Sequence, residues 1–216
     1  MALTLYFHPL SSFCHKVLIA LYENETPFTP RVIDLGDAAD RAELLAMWPI
    51  GKFPVLRDEG KNEVVAESSI IIEYLGRHHP GSVTLVPSDG EAARRVRFAD
   101  RFYDLYVHEP MQKIVGDRLR PKESKDPLGV EQAKARLKTA YGMIEKDMAG
   151  RTWAAGEDYS MADCAASPAL FYANKVVPFG GEHKNVAAYF NRLLERRSYK
   201  RALEEAKPYF HLFPQE

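Results

Sequence analysis

Cysteine is scarce: the chain of 216 residues has two, Cys14 and Cys164. Two are too few to read as a disulfide framework. An excess of charge of either sign is also missing. The 29 basic residues stand against 30 acidic ones, for a net charge of −1 and a pI near 6.7. That balance gives no electrostatic reason to expect nucleic acid or an anionic membrane as partner. No apolar run reaches the roughly 20 residues of a membrane helix. A basic flank, a long apolar stretch and a small-residue cleavage site, the marks of a secretory signal, are not found at the N-terminus. There is no internal repeat and no low-complexity tract. His78, His79, His183 and His211 show no ligand spacing, so no metal is expected. The expectation is a cytoplasmic globular protein with no nucleic-acid or membrane partner.

What is present alternates in type over the first third. Leu3–Phe7 reads as a strand. Cys14, Val17, Leu18 and Leu21 recur at the spacing of one buried helical face. Phe28–Ile33 is strand-like and Ala38–Met47 a weaker helix. Pro54–Arg57 and Glu63–Ala66 read as a hairpin with Gly60 in the turn, and Ser68 precedes a helix carrying Ile71, Tyr74 and Leu75. The order β-α-β-α-β-β-α predicts a small α/β domain over residues 1–80. Beyond a connector at 81–90, bounded by Pro80 and Pro87, strand signals vanish. Helices are expected over Glu91–His108, Glu131–Ala149, Met161–Ala173, Val186–Arg196 and Tyr199–Ala206, with Lys122–Asp126 a solvated loop. The fold class is thus α/β plus all-α, with a helical domain over 91–216.

The hand-over from the first strand to the first helix, TLYFHPLSSFCHKVLIAL, carries two hydroxyls and a thiol. A helix N-terminus leaves unpaired N–H groups and a partial positive charge, and a thiolate is stabilised there. Ser11 and Cys14 are spaced like the cysteines of a C-x-x-C redox site with serine in place of the first. The helical spacing buries Cys14 and leaves Ser11 at the tip, an arrangement suited to donating to the sulfur of a bound molecule. An ordinary serine N-cap accounts for the same residue. In GKFPVL, Pro54 at a strand entry is a candidate for a cis bond, against the plainer reading of a strand-initiating proline. In AESSIIIEYL, Ser68 at a helix start can receive a carboxylate and Glu67 an ammonium, or the pair simply cap the helix.

In series, Ser11-Ser12-Phe13-Cys14, Lys52-Phe53-Pro54-Val55, Glu67-Ser68 and the capping box of YSMADCAASPAL resemble the glutathione transferase family over essentially the whole chain. The resemblance is to cytosolic, serine-type, bacterial-like members. It implies a thioredoxin-like N-terminal domain, glutathione as co-substrate, a detoxifying conjugation of electrophilic small molecules, and a homodimer. Carried over by position, Ser11 activates the thiol, with Ser12 the alternative. Phe53 pairs its backbone with the cysteinyl unit beside a cis Pro54. Lys52 takes the glycine carboxylate, and Glu67 and Ser68 the γ-glutamyl end. Asp100 or Asp104 of the partner subunit meets the ammonium.

Tyrosine-type members carry tyrosine where Phe7 stands, and Tyr6 alternates to the opposite face, so that mechanism is not expected. Cysteine-type members place the thiol at the position of Ser11. The maleylacetoacetate isomerase branch carries a cysteine where Phe13 stands and an arginine where Lys16 stands, which argues against that reaction. Leu10, Phe13, Tyr103, Tyr106, His108 and Phe171 are expected to form the second-substrate pocket. The competing readings are a non-catalytic binder of glutathione or apolar ligands, and a glutathione-dependent isomerase or disulfide reductase.

Overall fold

A computed structural model describes residues 3–214. The N-terminal part runs β1 (Leu3–Phe7), α1 (Ser12–Glu23), β2 (Thr29–Val32), α2 (Ala38–Met47), β3 (Val55–Asp58), β4 (Glu63–Ala66) and α3 (Ser68–His78). The sheet order is β2-β1-β3-β4, with β1 parallel to β2 and the other pairs antiparallel. This is the thioredoxin-like βαβαββα arrangement followed by an all-helical domain. Strand β3 begins one residue later than expected because Pro54 has no N–H to give the ladder. Helix α1 exceeds its amphipathic pattern. Cys14, Val17, Leu18 and Leu21 are buried as the spacing requires, but so are Ile19 and Ala20, because helices of both domains pack around it.

The helical part comprises α4 (Gly90–Phe102), a π turn (Tyr103–His108), α5 (Glu109–Arg118), α6 (Pro127–Asp147), α7 (Met161–Val176), α8 (Lys184–Leu194) and α9 (Arg197–Ala206), closing on a 3-10 segment (Lys207–Leu212). The helix expected over Glu91–His108 is therefore longer and interrupted. Pro110 lacks the N–H that would claim the Tyr106 carbonyl, and the ladder before it widens to the i→i+5 pattern. Helix α7 starts in the expected capping box, Ser160 with Asp163. The Asp163 carboxylate also accepts the Ala154 amide at 2.9 Å and the Tyr189 hydroxyl at 2.7 Å.

The two parts are joined by a buried ion cluster. Lys16 of α1, 1% exposed, places Nζ 2.6 Å from Asp100 and 2.8 Å from Asp104. It also donates to Ser69 Oγ at 2.8 Å, and that hydroxyl donates to Asp100 at 2.7 Å. Arg101 covers the outer side, contacting Ser69 and both carboxylates. Burial and the neighbouring Asp100 push the Asp104 carboxyl above its ordinary range while Lys16 pulls it down. Without the ammonium, two buried carboxylates would share Arg101 alone. Lys16→Met should therefore lower stability by about 3 to 5 kcal/mol in urea unfolding; an unchanged midpoint would exclude Lys16 as the anchor.

Candidate active site

Strand register brings the sequence-predicted pieces to one edge of the sheet. Tyr6 pairs with Val55, and Val55 with Ala66. The end of β1, the Phe53–Pro54 turn and the start of α3 are consequently neighbours, and the Phe53–Pro54 peptide is cis. Neither the N–H nor the carbonyl of Phe53 bonds to the backbone of another described residue. Glu67 adopts φ +70, a left-handed conformation that a non-glycine residue holds at a cost of about 1–3 kcal/mol and that clusters at ligand clamps. Its side chain makes no capping bond to α3, and the Ser68 hydroxyl takes no partner among the described residues. Lys52 is exposed beside Phe53 and carries no ion pair there.

Ser11 is the N-cap of α1 and accepts the Cys14 amide at 3.3 Å. The Ser11 hydroxyl donates to no oxygen or nitrogen among the described residues. Ser12 is 7% exposed and its hydroxyl has no partner among the described residues. The amides of Ser12 and Phe13 are likewise unpaired, and no acidic residue occupies the first turn. A cleft of about 310 Å³ opens at this tip. Ser11, Ser12, Leu10, Phe13, Phe53 and His108 line it, joined by His8, Met111, Gln112, Val115, Tyr172 and the segment Leu212–Pro214. Among the described residues no lysine, arginine, aspartate or glutamate lines it. His108 packs on Phe13 with ring centroids 4.2 Å apart. Burial, aided by the nearby Lys16 charge, pushes the His108 imidazole down to about 4, so it stands neutral at pH 7. Burial also pushes the Cys14 thiol up to about 12, outweighing the lowering influence of the Ser11 hydroxyl and the His8 amide, so Cys14 is not a thiolate.

Three residues expected in the second-substrate pocket lie elsewhere. Tyr103 is buried against Tyr189 and Asp163 in the helical core. Tyr106 is mostly exposed and leans on Phe102. His108, at the end of the widened turn, does face the cleft. Phe171 stacks on Phe210 beneath Lys175, while its neighbour Tyr172, about 100° further round the helix, reaches the cleft. Asp100 and Asp104 are not available to a partner subunit's ligand, because both are buried on their own chain's Lys16. The C-terminal wall went unread in the sequence. Its signal was the aromatic run Tyr209-Phe210-His211-Leu212-Phe213 after the last helix, in which Phe213 stacks on Tyr172 and Tyr209 meets His8.

Residues 5–83 match the family model of the glutathione S-transferase N-terminal domain, and residues 102–197 that of the C-terminal domain. Glutathione S-transferase GstB of Escherichia coli is 22% identical over 203 residues, 93% of this chain and 97% of that protein. Glutathione S-transferase hmp2 of Hypomyces subiculosus is 27% identical over 205 residues, 89% and 94% of the two chains. A solved glutathione S-transferase of Methylobacillus flagellatus with glutathione bound superposes with a TM-score of 0.85 at 24% identity, covering 93% of this chain and 98% of that one. The chain belongs to the glutathione S-transferase family. It is an enzyme whose co-substrate is glutathione and whose general reaction is attack of the glutathione thiolate on an electrophile. No cluster of metal-ligating side chains occurs among the described residues, and no described helix is long and apolar enough to cross a membrane.

Since burial holds both cysteines protonated, the folded protein should resist iodoacetamide at mildly alkaline pH. Mass spectrometry should find both thiols modified only after unfolding; rapid labelling of the native chain at Cys14 would contradict the geometry.

Proposed function

We propose that Ser11 activates the thiol of glutathione by donating its hydroxyl hydrogen bond to the sulfur at the tip of α1, with Ser12 beside it as the alternative donor. The observation that carries this reading is the convergence of unpaired donors on an acid-free cleft. The Ser11 hydroxyl and the Ser12 and Phe13 amides all lie at one helix N-terminus. The Cys14 amide bond polarises the Ser11 hydroxyl and strengthens it as a donor. Helix end and hydroxyl together lower a thiol from about 8.5 by roughly one to two units. The thiol proton passes to solvent. A sulfur lone pair then forms the bond to carbon, as a halide leaves with its electron pair or an epoxide or activated alkene accepts the pair.

The rest of the tripeptide follows the sheet edge. The unpaired Phe53 backbone beside Pro54 takes the cysteinyl unit, and Lys52 takes the glycine carboxylate. Glu67 takes the ammonium and Ser68, with the free amides of α3, the γ-glutamyl carboxylate. Leu10, Phe13 and His108 then face the electrophile. The absence of charged side chains in that wall favours uncharged apolar or aromatic substrates.

We place the enzyme in the cytoplasm as a homodimer. Phe98, Leu105 and Tyr106 are exposed on α4 and the π turn. Ile70 is exposed at the start of α3, which Glu73 and Arg97 tie to α4. These side chains suit a face shared with a second copy.

Ser11→Ala should leave glutathione affinity within about twofold and raise the bound-thiol midpoint by about one unit, a roughly tenfold slower conjugation below that midpoint. Ultraviolet absorbance of the bound thiolate, titrated against pH, reads this directly; a midpoint equal to the parent's would pass the role to Ser12. Ser11→Thr, which keeps both cap and hydroxyl, should titrate like the parent. Sedimentation should find a dimer that Phe98→Glu dissociates, and a monomeric parent at micromolar concentration would rule out the shared face.

A further inference from the structure

The backbone that delivers the two serines is held from behind by side chains that the chemistry above does not use. His15 lies one turn into α1 and is fully buried. Its Nε2 is 2.5 Å from the carbonyl oxygen of Pro9. A carbonyl only accepts, so Nε2 carries the hydrogen and Nδ1 is bare; Nδ1 has no partner among the described residues. The next carbonyl, that of Leu10, accepts the hydroxyl of Tyr172 at 2.8 Å. Tyr172 comes from α7 in the helical domain, and its ring packs against His15 with centroids 6.0 Å apart. The two carbonyls preceding Ser11 thus each point at a buried donor, while the Ser12 and Phe13 amides that follow are left unpaired.

The polarity of a sulfur site depends on which end of each peptide faces it. An amide hydrogen stabilises a thiolate, and a carbonyl oxygen turned the same way repels it. Leu10 itself lines the cleft, so its peptide sits where a rotation would put oxygen at the rim. We propose that His15 and Tyr172 are positioning residues for thiol activation: by holding the Pro9 and Leu10 carbonyls inward, they keep the rim of the sulfur site free of acceptors and set the Ser11 hydroxyl against the tip of α1. This rests on the reading that the sulfur is held at that tip. A buried carbonyl stripped of its donor is costly to leave unpaired. The Leu10 peptide relieves that cost by rotating its oxygen toward the cleft. The Tyr172 ring also forms cleft wall and stacks on Phe213, so Tyr172→Phe removes one oxygen and retains the wall.

The test compares the parent, Tyr172→Phe, His15→Leu and His15→Gln, each full length. For each, bound-thiolate absorbance is titrated against pH, glutathione affinity is measured by calorimetry, and kcat and KM are separated. Tyr172→Phe should raise the thiol midpoint by about half to one unit, lowering kcat about three- to tenfold below that midpoint, with glutathione affinity within about twofold. His15→Leu should act in the same direction, and His15→Gln, whose side-chain amide can donate to the Pro9 carbonyl, should recover most of the loss. Variants that melt earlier but titrate like the parent would overturn the proposal and leave these residues purely structural. If His15→Leu does not fold, Tyr172→Phe decides. A parent complex with no thiolate absorbance would overturn the thiol-activation reading as well, an outcome distinct from a normal parent with unmoved variants.

Discussion

One buried ammonium holds the catalytic edge together. Lys16 projects from α1 just past the serines and meets Ser69 at the tip of α3 and Asp100 and Asp104 on α4 and the π turn. Ser69 adjoins Ser68, and Asp104 is one turn before His108. The helix proposed to offer the sulfur site, the helix proposed to offer the carboxylate site and the segment carrying the cleft imidazole are therefore referred to a common point. An apolar contact would hold them together but tolerate sliding. A buried ion cluster does not, because moving any member strands a charge in a medium that solvates it poorly. The same charge helps to keep His108 neutral, so the anchor also sets the electrostatics of the wall.

A second constraint is the selective use of helix caps. Asp37, Asp89 and Asp126 accept first-turn amides of α2, α4 and α6, and Asp163 closes the capping box of α7. The two helices aimed at the site differ. Helix α1 is capped by a neutral hydroxyl, and α3 by a residue whose side chain makes no cap bond. A carboxylate bonded to the first-turn amides of either helix would satisfy them and cancel the local positive potential. Helix α1 has no acid at its tip and the Glu67 carboxylate makes no bond to the amides of α3, which on the proposed reading keeps both sets of amides available to the anionic groups of the co-substrate, at some loss of helix stability.

Much of the architecture was legible in the chain. The buried face of α1, the hairpin before α3 and the all-helical second part follow from periodicity and turn residues, which are local properties. The π turn was not legible, because it arises where Pro110 withholds a donor inside an otherwise regular helical pattern. Of the three residues expected from this segment, only His108 lines the cleft, and Tyr103 and Tyr106 do not. Tyr172 was missed by one residue in favour of Phe171, a distinction that depends on how α7 is rotated against α1. Asp100 and Asp104 stood out as acids near the site, but their partner, Lys16, lies more than eighty residues away in sequence. Lys16 itself reads as a departure from a family arginine until its burial is seen. The wall from Leu212 to Pro214 depends on long-range aromatic stacking and has no periodic signature.

On the proposed assignment, the electrophile side of the cleft offers rings, aliphatic surface and neutral imidazole, whereas the polar groups proposed for the tripeptide cluster along the sheet edge. That assignment gives recognition of the electrophile and activation of the sulfur to separate sets of side chains. Exchanges among Val115, Met111 or Leu212 would reshape the chamber without touching the donors at α1. Such a chamber is permissive by construction: flat, neutral molecules enter because nothing repels them, and selectivity arises from shape. An enzyme of this layout can acquire new substrates by small steric changes while its sulfur chemistry stays constant.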